Sequence, residues 1–120
     1  MSEDEKLKSL LAASNYRAAF LNRQEHLQLQ FLTSLKTFWK GHTFKCDPQL
    51  ITLINLHLEG QGRQQWAIII DDNTLPVIIR DLKEFRDHVF GVYNDALTTY
   101  WNEYEKLKTA RTTKEVIEAS

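Results

Sequence analysis

The sequence predicts a helix-dominated α+β fold, and three observations carry that prediction. Residues 1–40 contain neither Gly nor Pro and are rich in Leu, Ala, Lys, Gln and Glu, all good helix formers. A second long amphipathic run begins at Leu82. Between them, Trp66-Ala67-Ile68-Ile69-Ile70 and Leu75-Pro76-Val77-Ile78-Ile79 are apolar and β-branched, and Asp71-Asp72-Asn73-Thr74 separates them.

The hairpin is the centre of the chain. The short polar side chains of residues 71–74 hydrogen-bond their own backbone and close a turn. Pro76 has no N–H for a ladder, so it belongs at a strand start or on an edge. Asp81-Leu82-Lys83-Glu84 then reads as a capping box that opens the last long helix.

The first helix is expected from about Glu3 to Lys40, with Ser2 and Glu5 capping its start and Gly41 ending it. Its apolar stripe changes direction. On a wheel of about 100° per residue, Leu7, Leu10, Leu11, Ala18 and Leu21 share one side, and Phe20, Leu27, Phe31, Leu35 and Phe38 lie roughly 120° further round. The change falls at the polar stretch Asn22-Arg23-Gln24-Glu25. Two arrangements satisfy this pattern. Either the helix bends there and both halves pack on one core, or residues 1–23 project and meet another chain while residues 24–120 form a single α+β domain.

His42–Cys46 alternates and predicts a small strand with Phe44 inward. Asp47-Pro48 starts a short helix that is apolar over most of its surface and is therefore expected to be nearly buried. That helix stops at Gly60-Gln61-Gly62, a flexible connection into the Trp66 strand. The last long helix is expected from Leu82 to about Thr109. Its stripe comprises Leu82, Phe85, Val89, Tyr93, Ala96, Leu97, Tyr100, Tyr104 and Leu107. Its far end offers Tyr100, Trp101 and Tyr104, either packed on the N-terminal helix or open to a partner. Thr112-Thr113-Lys114-Glu115 caps a final short helix folding back on Leu107.

Composition narrows the function classes. The chain has 120 residues and a formal net charge of −1, with no basic block, so charge gives no case for nucleic acid. Cys46 is the only cysteine, which rules out an internal disulfide. The start, MSEDEKLKSLL, does not read as a signal peptide, and no apolar run approaches the ~20 residues of a membrane helix. His26, His42, His57 and His88 are scattered without metal-ligand spacing, and Cys46 has no CxxC partner. Asp71-Asp72-Asn73 lacks the Gly and distal Glu of a calcium loop. No residue presents itself as catalytic, and no cofactor or small-molecule substrate is expected.

Taken in order, several segments resemble a domain of unknown function found in tailed-bacteriophage tail-fibre and tail-fibre assembly proteins. They are Lys40-Gly41-His42-Thr43-Phe44 with Asp47, Gly60, Trp66, Asp72-Asn73-Thr74-Leu75-Pro76-Val77, Asp81-Leu82 through His88-Val89, and Lys108 to Glu115. The similarity spans about Gln24 to Ala119 and rests on order and spacing. The chain departs from the family at Ile69, Ile70 and Pro76, and its first twenty or so residues lie outside the similarity. The resemblance implies a phage origin and a place in or near the tail-fibre apparatus.

The resulting expectation is a long N-terminal helix, a small β-hairpin sheet, a buried short helix and a long C-terminal amphipathic helix. Functionally, it is a non-enzymatic phage tail or tail-fibre adaptor made in the host cytoplasm and residing in the virion. Its partners would be copies of itself or fibre subunits, met through Leu7, Leu10, Leu11, Ala18, Leu21, Tyr100, Trp101 and Tyr104. The alternatives are a fibre assembly chaperone absent from the virion and a small inhibitor of a host enzyme.

Overall fold

The computed structural model describes residues 2–60 and 64–118. The fold is the helix-dominated α+β arrangement, with a long helix near each end and two small antiparallel sheets between. Helix α1 runs Glu3–Ser34, and strands β1 (Lys36–Trp39) and β2 (His42–Lys45) form a first hairpin. Helix α2 spans Pro48–Glu59, and strands β3 (Ala67–Ile70) and β4 (Pro76–Ile79) form a second hairpin. Helix α3 spans Leu82–Thr109 and α4 spans Thr113–Glu118.

The first helix stops six residues earlier than expected: Ser34 rather than Lys40 is its last residue. Thr37, Phe38 and Trp39 favour a pleated backbone, and a partner strand is available two residues further on. Lys40 and Gly41 both have positive φ, 47° and 85°, which is the two-residue turn whose twist suits a hairpin. Gly41 is thus a hairpin turn residue, not a helix stop. Through Asn22–Glu25 the helix is unbroken.

The caps are formed as the sequence implies. Glu5 N–H donates to Ser2 Oγ and Ser2 N–H donates to the Glu5 carboxylate. Leu50 N–H donates to Asp47, with Pro48 in the first turn of α2, and Glu84 N–H donates to Asp81 at the start of α3. Glu115 N–H donates to Thr112 Oγ1 at α4. Pro76 begins β4 opposite Ile70. The expected connection at Gln61-Gly62 lies outside the described residues.

The chain divides into two compact units, one comprising residues up to Phe31 with those from Thr98 onward, the other Leu32–Leu97. This division does not coincide with a boundary between residues 23 and 24. The Leu32–Leu97 unit has a core of Phe44, Cys46, Ile54, Ala67, Ile69, Val77, Ile79, Leu82, Phe85 and Val89. The other unit has a core of Leu27, Leu107, Ala110 and Val116, rimmed by Tyr16, Ala19, Phe20, Tyr100 and Tyr104. Val116 on α4 therefore folds back on Leu107, as the sequence implied. The burial expected of α2 holds for one face only. Ile54 is fully buried and Leu50, Ile51 and Leu58 pack on the core, whereas Leu53 and Leu56 stand exposed.

Candidate functional site

Strands β3 and β4 alternate cleanly. Ala67, Ile69, Val77 and Ile79 point into the core. The register pairs Ile68 with Ile78 and Ile70 with Pro76, so these four lie together on the opposite face. That face is bare: Ile68 is 61% exposed, Ile70 55% and Ile78 47%. Trp66, two residues before Ile68, and Leu75, beside Pro76, are also exposed. An ordinary antiparallel sheet carries polar residues on its solvent face. Here three isoleucines and a proline occupy it, and such contiguous apolar surface marks an interaction site. The face runs on into a cleft of about 390 Å³ bordered by Pro76, Ile78, Lys40, His42 and Arg80. The cleft carries charge of both signs, since Asp81 lines it beside Lys40 and Arg80.

The turn below this face is tightly held. Asp71 is buried, and its Oδ1 accepts from the N–H groups of Asn73 (2.9 Å) and Leu75 (2.8 Å). Its Oδ2 lies 2.9 Å from Nδ1 of His42, and Asp72 N–H donates to Thr43 O at 2.8 Å. The two hairpins are thereby tied to each other. The N–H of Leu75 above all, with the His42 and Asn73 hydrogen bonds, holds the Asp71 carboxyl below the usual carboxylate range, while burial pushes the other way. Thr74 adopts a positive φ of 64° at the end of the turn. The arrangement is a rigid support for the apolar face.

Sequence reasoning missed this surface because a continuous Ile run reads as a strand covered on both sides.

The residues nominated from sequence divide into two groups. Leu7, Leu10, Leu11 and Leu21 are all between 51% and 68% exposed, and Ala18 is exposed with them. Every residue from Ser2 to Asn15 is exposed. The opposite side of α1 is the covered one. Tyr16 donates to Ala110 O at 2.8 Å, Arg23 lies 3.6 Å from Glu103, and Leu27 is buried. On α3, Tyr100 and Tyr104 meet edge-on with ring centres 6.5 Å apart. Tyr100 stacks on Phe31 with ring centres 5.0 Å apart, and Tyr104 packs beside the small core, so both serve their own unit. Trp101 is 62% exposed, with the Lys108 ammonium 5.9 Å from its ring centre.

Other chemistry-bearing groups serve the fold. Cys46 is completely buried, and burial with the neighbouring Asp47 carboxylate pushes its thiol up to about 11, so it stays protonated. Thr37 Oγ1 and His88 Nε2 share a 2.7 Å hydrogen bond. Among the described residues, no group of three or more His, Cys, Asp or Glu is placed to hold a metal ion. Among them, too, no helix is long and apolar enough to cross a membrane.

Compared with known proteins, the chain matches no family model, no curated protein and no solved structure.

Proposed function

We propose that this chain is a non-enzymatic structural adaptor of a bacteriophage tail or tail fibre, working through protein–protein contacts. The observation that carries the reading is the bare Ile68–Ile70–Pro76–Ile78 face, an ordered apolar surface on a rigid hairpin. The exposed leucine stripe of α1 gives the other unit an apolar surface of its own. An adaptor joins two subunits, and two separate surfaces on one small chain suit that task. The phage-tail setting rests on the resemblance of residues 24–119, and it implies residence in the virion after synthesis in the host cytoplasm.

Mass spectrometry of purified phage particles tests this. Recovery of the chain in fixed ratio to tail proteins is the expected result. An Ile68→Asp, Ile78→Asp double variant is expected to fold and to be missing from the particles. The same apolar face also favours a second reading, an assembly chaperone that covers a fibre surface and then leaves. In that case the chain is abundant in infected cells and absent from finished particles.

A further inference from the structure

We infer that α1 pairs with α1 of a second copy, antiparallel, through Leu7, Leu11, Ser14, Ala18 and Leu21. The inference rests on the protein-contact reading above and names the occupant of one of its two surfaces. These five residues repeat at four- and three-residue steps, the spacing of a coiled-coil seam, and all are exposed. They lie roughly 160° round the helix from the mean direction of Tyr16, Phe20 and Leu27, the side that packs on the chain's own core. From residues 2 to 15 the helix has no covered side chain at all.

The order of side-chain sizes along the seam selects the second copy and its direction. Large residues stand at Leu7 and Leu11, small ones at Ser14 and Ala18. Run antiparallel, Leu7 falls opposite Ala18 of the second copy and Leu11 opposite Ser14, so each of these two large side chains meets a small one, while Leu21 falls opposite Asp4 at the exposed end of the seam. A parallel pair sets Ser14 against Ser14 and Ala18 against Ala18, which leaves the middle of the seam underfilled.

Charge agrees with packing. Glu3, Asp4 and Glu5 form the acidic start of α1. In a parallel pair the six carboxylates converge, and Asp4 faces Asp4 in the seam. Its one gain is an edge contact from Glu3 to Lys8, and exposed edge pairs contribute little. In the antiparallel pair the acidic starts lie at opposite ends, each within about one turn of Arg17 of the second copy. There the flanking contacts are Leu10 with the Arg17 stem and Lys8 with Asn15, and none brings like charges together.

The test is light scattering on the full chain from about 1 μM to 1 mM, followed by cross-linking. A mass rising to that of two chains is expected. Leu11→Arg, with an unchanged circular dichroism spectrum, is expected to weaken the dimer by at least roughly thirtyfold. Mixed Leu7→Cys and Ala18→Cys chains are expected to oxidise to the mixed pair, while buried Cys46 does not compete. A monomer across the whole range overturns the inference, as does a dimer indifferent to Leu11→Arg, or Leu7→Cys cross-linking mainly to itself. A monomer that is still recovered from tail particles refutes the helix pair and leaves the adaptor reading standing. A cross-linked dimer missing from particles supports the pair and refutes the adaptor.

Discussion

The two units are built on different principles. The Leu32–Leu97 unit fills its interior with large apolar side chains from five elements, among them Phe44, Ile54, Ile69, Ile79 and Phe85, all essentially inaccessible. Phe85 sits edge-on to Phe44 at 4.9 Å and to Trp39 at 5.3 Å, a preferred aromatic geometry. Among its described residues the other unit buries Leu27, Leu107, Ala110 and Val116, and it surrounds them with half-buried tyrosines. Its contacts are more directional, and it is less completely satisfied: Nε of Arg23 is buried without a hydrogen-bond partner. One unit is held by volume, the other by a thin aliphatic centre with a polar rim.

The contrast predicts unequal costs for equal surgery. Leu82→Ala leaves a gap among closely packed large side chains, and should fall at the upper end of about 2–5 kcal/mol. Leu107→Ala should fall at the lower end of about 2–5 kcal/mol, because the half-buried rim can close towards the gap. Urea unfolding followed by circular dichroism measures both. Equal losses would break the comparison.

The next effect depends on pH. Asp71 has its carboxyl held below the usual range in the folded state. Its contribution to stability is therefore fully present above the ordinary carboxylate value and is lost as pH falls through the lowered one. Asp71→Asn is expected to reduce stability at neutral pH and to flatten the acid limb of the stability curve down to about pH 2. Urea midpoints across that range test it. An acid limb unchanged by Asp71→Asn would assign the loss to other carboxylates.

A smaller effect sharpens the description of the other unit. Tyr16→Phe keeps the ring beside Phe20 and deletes the hydrogen bond to Ala110 O. It should cost about 0.5–1.5 kcal/mol, read from thermal unfolding. A cost near zero would mean that the rim acts through ring packing alone.

Local signals made much of this legible in the sequence. The α3 bounds follow from the Asp81 cap and an apolar stripe sustained to Leu107. The α2 start follows from Asp47-Pro48. The end of α1 was not legible in the same way. Residues 35–40 carry no Gly or Pro, and they leave the helix because pairing with His42–Lys45 offers them a ladder. That choice is made across the Lys40-Gly41 turn. The bare face of β3–β4 was hidden for a related reason: Ile68, Ile69 and Ile70 look alike in sequence, and tertiary packing alone determines which of them is covered. The leucine stripe of α1 was visible as a change of direction at Asn22–Glu25, with its exposure supplied by the structure.

The smallest expected change in stability carries the most functional information. Ile68→Ser with Ile78→Ser removes two facing side chains from the outer side of the hairpin without touching Ile69, Val77 or Ile79 beneath. Exposed substitutions of this kind usually stay within about ±0.5 kcal/mol each, so thermal unfolding should barely move. Serine lowers the β-branched content of both strands, but the buried alternate residues still set the register. Binding to a fibre subunit, measured by co-purification from cells expressing both, should fall sharply. Fold and binding would then be separable on one hairpin, with its inner face serving the chain and its outer face a partner. A double variant that unfolds would instead show that the outer face is part of the chain's own stability, and the surface would lose its claim as a binding site.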